Sequence, residues 1–229
     1  EDAELAVQQE MAKSSAPSLR VAYDSEGVNL FLTRGHGEVI EVRSPDAEEV
    51  RCELAVEGEL ILLLGQSADR ALTVSLDEER RMVCDLQLWD AETGTLIAGL
   101  QPDDALLRWA QLSPDGTHVA VGLLSTVGEP ARVEVWDMEA GRRVVELPSH
   151  SEDSVYPLQG KWSPTGDRLF TCARNYASND NGTPLWRASL WSLPEGTMVA
   201  ELEHEDPCED GVFSADGATL ATACSESGV

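Results

Sequence analysis

The sequence predicts an all-β protein made of repeated antiparallel sheets, on the strength of three observations. From Leu19 onward, short apolar runs of strand length alternate with clusters of turn residues. A tryptophan-centred unit occurs three times, as LQLWDAETGTLIAGL at 86–100, VEVWDMEAGRRVVEL at 133–147 and ASLWSLPEGTMVAEL at 188–202, with a leucine eleven residues after each tryptophan. A turn signal recurs with the same period. Such self-similarity is typical of repeat architectures, in which each repeat is one small structural unit.

The first 18 residues differ from the rest of the chain. Ala3, Ala6, Val7 and Met11 stand at helical spacing, and Pro17 ends the pattern. For residues 1–18 we expect a linker helix, or the tail of an upstream domain; the alternative is an ordinary frayed terminus. A single compact β unit is predicted to follow over 19–229.

The recurring turn has serine at its first place and glycine at its fourth. It reads SPDG ending at Gly116, SPTG ending at Gly166 and SADG ending at Gly217. Proline presets the backbone at the second place and glycine accepts the exit conformation, so each segment predicts a hairpin turn. Weaker copies begin at residues 24 and 67, and the successive starts lie 43, 46, 50 and 51 residues apart.

Each period holds four strand-length runs, and the repeats begin near residues 19, 60, 106, 155 and 209. A four-stranded sheet cannot bury both faces alone, so successive sheets must pack face to face. Arranging them around an axis predicts a β-propeller of four-stranded antiparallel blades. The fifth repeat stops after two strands, which gives about 4.5 blades. We therefore expect a larger propeller, or completion by another chain.

The repeated Trp-Asp dipeptides indicate a resemblance to a known family. Trp89-Asp90 and Trp136-Asp137, with the S-P-D-G turn, resemble the WD40-repeat β-propeller family over about residues 19–229. Trp191 is followed by serine and resembles a divergent copy. Bacterial WD40 arrays are often joined to a protein kinase, a signalling ATPase or a caspase-like protease, and the resemblance implies a similar multidomain setting here.

The sequence also departs from that family. Arg43 takes the tryptophan place of the first copy. The family often has an aspartate six residues before the tryptophan, where it joins a buried hydrogen-bond network; Val83, Pro130 and Leu185 stand there in this chain. We expect this network to be absent and packing to hold the sheets together.

The net charge of the chain restricts the classes of partner that it can bind. The formal net charge is −26, from 42 acidic and 16 basic residues. Such a surface repels phosphate backbones and anionic lipid, which argues against nucleic acid and membranes as partners. The acidity indicates either attraction to a basic protein or an adaptation for solubility or high salt. No window reaches the roughly 18 apolar residues of a membrane helix, and residues 1–15 lack signal-peptide features, so a cytoplasmic protein is predicted.

Motifs for catalysis or cofactor binding are missing from the sequence. It contains no nucleophile elbow, zinc-protease motif, phosphate-binding loop or dinucleotide fingerprint. Its four histidines are far apart, and its five cysteines, Cys52, Cys84, Cys172, Cys208 and Cys224, form no C-x-x-C pair. This spacing predicts free thiols and argues against a disulfide framework or a zinc site. No catalytic residue, metal or cofactor is predicted.

The fourth repeat carries the candidate partner site. Its segment RNYASNDNGTPLWR at 174–187 predicts a loop five or six residues longer than its counterparts, and the preceding connection is also long. Aromatic and guanidinium groups there match the composition of protein-binding hot spots. The predicted contact residues are Tyr156, Arg174, Tyr176, Trp186 and Arg187. The alternative is that Trp186 packs under its own loop.

These features predict a non-catalytic interaction scaffold or sensor module within a larger signalling or regulatory protein. Its partners would be other proteins or domains of the same polypeptide. The alternative is an enzymatic propeller of the lactonase or peptidase-associated type, with a site in the central channel.

Overall fold

The computed structural model describes part of the chain in detail. The described residues are 21–23, 30–34, 39–44, 49–56, 59–67, 69–76, 84–101, 105–125, 131–147, 155–178, 184–204 and 208–224. Every regular element among them is a β-strand, so the predicted all-β class is confirmed. The helix predicted within 1–18 and the turn at 24–27 lie outside the described residues.

The chain divides into two compact units, residues 1–103 and 104–229. The first unit contains β1 (Val21–Tyr23), β2 (Leu30–Arg34), β3 (Val39–Arg43), β4 (Val50–Ala55), β5 (Glu59–Ser67), β6 (Arg70–Leu76), β7 (Cys84–Asp90) and β8 (Leu96–Leu100). Strands β1–β4 form sheet 1 and β5–β8 form sheet 2, each with consecutive strands antiparallel and adjacent. Phe31, Ile40 and Leu54 of sheet 1 are buried in one cluster with Ala71 and Trp89 of sheet 2.

The second unit repeats this arrangement. It contains β9 (Ala105–Leu112), β10 (His118–Ser125), β11 (Arg132–Asp137), β12 (Arg142–Leu147), β13 (Val155–Trp162), β14 (Arg168–Ser178), β15 (Pro184–Ser192), β16 (Thr197–His204), β17 (Cys208–Phe213) and β18 (Leu220–Cys224). Strands β9–β12 form sheet 3, β13–β16 form sheet 4, and β17–β18 form the two-stranded sheet 5.

Serine closes the three recurring turns that begin at Ser113, Ser163 and Ser214. The backbone N–H of Gly116 donates to the carbonyl of Ser113 at 2.9 Å, and Gly116 has a φ of +70°, which disfavours side chains. The Ser113 hydroxyl accepts the N–H of His118 at 2.9 Å, and Ser163 and Ser214 accept the N–H five residues further on in the same way. One side chain thus fastens the start of the turn to the start of the next strand.

The longest hairpin differs from the sequence expectation. Residues 174–187 were predicted as a loop, whereas β14 continues to Ser178 and β15 begins at Pro184. Backbone pairing extends to Ser178 opposite Pro184, with an irregularity after Asn175. The extra residues therefore lengthen two paired strands, because ladder hydrogen bonds satisfy backbone groups that a free loop would leave to water.

Two tryptophans are hydrogen-bonded across neighbouring strands. The indole N–H of Trp89 donates to the hydroxyl of Thr73, and that of Trp191 donates to Thr171, both at 2.8 Å and both buried. Both bonds lie within one sheet, so they satisfy the indoles of sheets 2 and 4 but do not test the expectation that packing holds one sheet to the next. The indole keeps a hydroxyl partner on the adjacent strand.

Sheets 3 and 4 pack through a tryptophan and two glycines. A Cβ on Gly122 of β10 or on Gly160 of β13 would overlap the ring of Trp109, so the ring fits only where both side chains are missing. The indole of Trp162 in sheet 4 donates to the carbonyl of Gln111 in sheet 3 at 3.0 Å. These contacts hold the two sheets face to face.

Candidate functional site

The strand register brings most of the predicted contact residues into one row of sheet 4. Tyr156 pairs with Arg174, Arg174 with Trp186, and Trp186 with His204, so the row crosses all four strands. Tyr176 lies two residues beyond Arg174 in β14. For Tyr156, Arg174 and Tyr176 the structure describes the backbone position. The five residues therefore belong to regular strands rather than to a loop.

Trp186 contributes to the core between sheets 4 and 5. Its partly buried ring packs against a cluster of Phe170, Cys172, Ala188 and Cys208. The tryptophan therefore has a structural role, and its contacts include Cys208 of sheet 5. Residues 179–183 of its own loop lie outside the described residues, so the alternative that it packs under this loop stays a prediction.

Arg187 is ion-paired within its own sheet. Its guanidinium lies 3.1 Å from a carboxylate oxygen of Glu201 on the neighbouring strand β16. A partner that used Arg187 would have to compete with this carboxylate.

The outer strand of sheet 4 is exposed and apolar. In β16 the exposed fractions are 43% for Met198, 54% for Val199 and 47% for Leu202. Among the described residues, β16 is hydrogen-bonded to β15 on one edge and to no strand on the other. Three large apolar side chains on an edge strand are a typical feature of a surface that another polypeptide covers.

A histidine and two cysteines meet where sheets 4 and 5 join. One ligand atom from each of His204, Cys208 and Cys224 lies within 4.8 Å of the others. Nδ1 of His204 is 3.3 Å from Sγ of Cys224. His204 ends β16, Cys208 begins β17, and Cys224, the last residue of β18, stands directly opposite Cys208 in the antiparallel pair. Strand ends therefore bring together three residues that are separated in sequence.

Burial and a nearby carboxylate affect the thiols of this cluster. Burial raises the pKa of the Cys208 thiol to about 11, and the nearby Cys224 and Asp210 add to the rise. Burial also strongly raises the pKa of Cys172, whose thiol donates to the carbonyl of Cys208. Asp210 is itself ion-paired with Lys161 at 3.1 Å.

Reasoning from cysteine spacing missed this cluster. His204 and Cys208 are separated by three residues, which lies within the range of a short zinc-ligand pair. The turn at Ser214–Gly217 returns β18 along β17 and so brings Cys224 back to Cys208. The H-x-x-x-C spacing and the predicted hairpin are both present in the sequence and would have indicated the site if read together.

Neither a protein-family model nor a curated protein matches the sequence. Among solved structures, the chain is similar to hydrazine synthase of Kuenenia stuttgartiensis, with a TM-score of 0.62 and 17% sequence identity. The match covers 92% of this chain and 56% of that chain, so this chain spans a little over half the length of that protein. At this identity the likeness shows the fold alone. Among the described residues, no helix has the length and apolar character needed to cross a membrane.

Proposed function

We propose that the chain is a WD40-like β-propeller segment that acts as a non-catalytic interaction module. The packing of consecutive sheets supports the propeller. A Cβ on Gly94, in the β7–β8 turn of sheet 2, would meet Cys52 and Glu53 in the outer strand of sheet 1. Gly196, in the β15–β16 turn of sheet 4, occupies the same place against Val145 in the outer strand of sheet 3. Each unit therefore uses the same turn to cover the preceding sheet.

The single observation that carries the binding role is the exposed edge strand β16, with Met198, Val199 and Leu202. Leu202 stands opposite Ala188 and Met198 opposite Trp191, so apolar side chains lie on both faces of this edge. The strand pairs with β15 of the extended β14–β15 hairpin, on which Arg174 and Tyr176 lie. It supplies apolar area for a partner. The net charge of −26 favours a basic protein or domain and disfavours nucleic acid and anionic lipid.

A photo-crosslinking experiment identifies the partner. A photoreactive phenylalanine analogue is placed at Tyr176 or Val199, and at Glu139 as a control in an exposed turn of sheet 3. We expect one protein to be crosslinked from positions 176 and 199 and not from 139. Equal crosslinking from all three positions would contradict a defined contact surface.

The affinity for the purified partner then tests whether β16 forms the contact surface. Loss of an interface hot spot costs about 2 kcal/mol or more, so Val199→Ser with Leu202→Ser should raise the Kd for the purified partner by about thirtyfold. Tyr176→Ala should also weaken binding, whereas Glu139→Ser should leave the Kd unchanged. An unchanged Kd in the double variant, with its thermal unfolding intact, would overturn the proposal.

An enzymatic propeller is the second candidate, and the His204, Cys208 and Cys224 cluster is the observation that favours it. Such an enzyme would need a metal at this cluster for turnover. If the protein hydrolyses a substrate, and this activity is lost in Cys224→Ser but kept in Cys52→Ser, the enzymatic function would be favoured over the interaction module.

A further inference from the structure

We propose that His204, Cys208 and Cys224 form a mononuclear site for a zinc-class divalent cation, with a fourth coordination position open to solvent. This site goes beyond an interaction module, since it assigns a ligand to residues that the partner surface does not use. The three side chains come from β16, β17 and β18.

The distances suit a tetrahedral metal. Zinc–nitrogen and zinc–sulfur bonds of about 2.0 and 2.3 Å at a tetrahedral angle separate the two ligand atoms by about 3.5 Å. Nδ1 of His204 and Sγ of Cys224 lie 3.3 Å apart, and all three ligand atoms lie within 4.8 Å of one another. Coordination therefore requires only small side-chain movements.

The donor set is that of a borderline-soft cation. Two thiolates and an imidazole select zinc and its analogues over magnesium or calcium, which prefer oxygen ligands. Nε2 of His204 is buried and has no hydrogen-bond partner in the described part of the chain. The other ring nitrogen, Nδ1, faces the Cys224 thiol, so it is the nitrogen that would present a lone pair to a cation.

The surrounding structure supports the ligands. Cys208 and Cys224 are held opposite each other by backbone pairing, and the Cys172 thiol hydrogen-bonds to the carbonyl of Cys208. Asp210 lies on the same strand as Cys208, and Lys161 balances its charge. Cys224 is exposed, which leaves the fourth position on the solvent side. Cation binding displaces the thiol protons into solvent and links sheet 4 to sheet 5.

The competing use of these residues is a disulfide between Cys208 and Cys224. The two residues are directly paired across β17 and β18, and both are free thiols in this structure. A disulfide would remove two of the three ligands, so the two states are mutually exclusive and can be separated experimentally.

Cobalt provides the direct test. The full chain, treated with a phosphine reductant and a chelator and then desalted, is titrated with Co²⁺. We expect one equivalent to produce a thiolate-to-cobalt charge-transfer band and intense visible bands of tetrahedral geometry, and one equivalent of Zn²⁺ to bleach them. Zinc should also protect Cys224 from alkylation.

The variants locate the site. Cys224→Ser removes an exposed ligand without disturbing the core, and it should lose the charge-transfer band, as should His204→Gln. Cys52→Ser is the matched control, because its thiol lies in sheet 1 and donates to the carbonyl of Ala91. It should keep the band unchanged. The proposal is overturned by a wild-type protein without the band, by a band that survives in Cys224→Ser, or by a Cys208–Cys224 disulfide that forms in the presence of zinc.

Discussion

At the residue scale, the hydrogen-bond acceptor of each repeat tryptophan depends on one side chain of the preceding strand. This side chain stands opposite the residue two places before the tryptophan. Thr73 stands opposite Gln87 and bonds to Trp89, and Thr171 stands opposite Ser189 and bonds to Trp191. Val121 fills this place in sheet 3 and cannot accept a hydrogen bond.

Sheet 3 compensates for this valine with a buried acid. Glu134, 2% exposed, accepts the indole N–H of Trp136 at 2.8 Å. Its other carboxylate oxygen is held by Arg132 at 2.7 Å and Arg143 at 2.9 Å, so the buried charge is paired. Sheet 1 has a similar arrangement. Leu32 stands at the position of Val121, and the buried Glu41 is ion-paired with Arg43, which stands at the tryptophan position.

Thr171→Val tests this arrangement. The substitution conserves shape but leaves the buried indole of Trp191 without an acceptor, so the free energy of unfolding should fall by about 1–3 kcal/mol. Urea unfolding measures the change. Thr197→Val, on an exposed position of β16, is the control and should stay within about 0.5 kcal/mol of the wild type. Equal small effects would show that the indole hydrogen bond contributes little.

At the element scale, glycines in the strands set how closely the sheets approach. Trp109 lies against Gly122 of its own sheet and Gly160 of sheet 4, and the Phe170 ring lies against Gly211 of sheet 5 in the same manner. The Trp109 ring fills the space of two ordinary side chains, and the Phe170 ring fills the space of one. The sheets of the second unit therefore pack through ring-on-glycine contacts.

Gly160→Ala should disturb such a contact. The new methyl group overlaps the Trp109 ring, and overpacking of this kind lowers the free energy of unfolding by about 1–3 kcal/mol. Combining it with Trp109→Leu should make the cost less than the sum of the two single variants, as measured by a double-mutant cycle in urea. Gly99→Ala is the control, since a Cβ there meets nothing within 4 Å. Additive single effects would refute the contact.

At the scale of the whole molecule, charge repulsion opposes the compact state. The chain has 42 acidic residues against 16 basic ones, so most carboxylates have no basic residue to balance them. Salt screens such repulsion over distances beyond about 10 Å at 0.1 M ionic strength. The fold should therefore be stabilised by simple electrolytes.

Thermal unfolding in increasing salt checks this. Raising NaCl from about 0.05 M to about 0.5 M should increase the Tm, by about 2–4 °C for each kcal/mol of repulsion relieved. KCl at equal ionic strength should give the same increase, because screening depends on ionic strength and not on the cation. A Tm that is constant or falls with salt would show that the acidic surface does not strain the fold.

The sequence by itself determined the local structure. Turn glycines, serine-led turns and alternating apolar runs act over a few residues, so the all-β class and the antiparallel hairpins of sheets 3 and 4 could be predicted from them. The tertiary structure decided the contacts that depend on how the strands are paired. It placed residues 174–178 and 184–187 in two paired strands, packed the partly buried Trp186 against the core, and gave Trp136 a buried glutamate. It also joined Cys224 to His204 and Cys208. The His204–Cys208 spacing is local, but Cys224 reaches this pair only through the register of the β17–β18 hairpin.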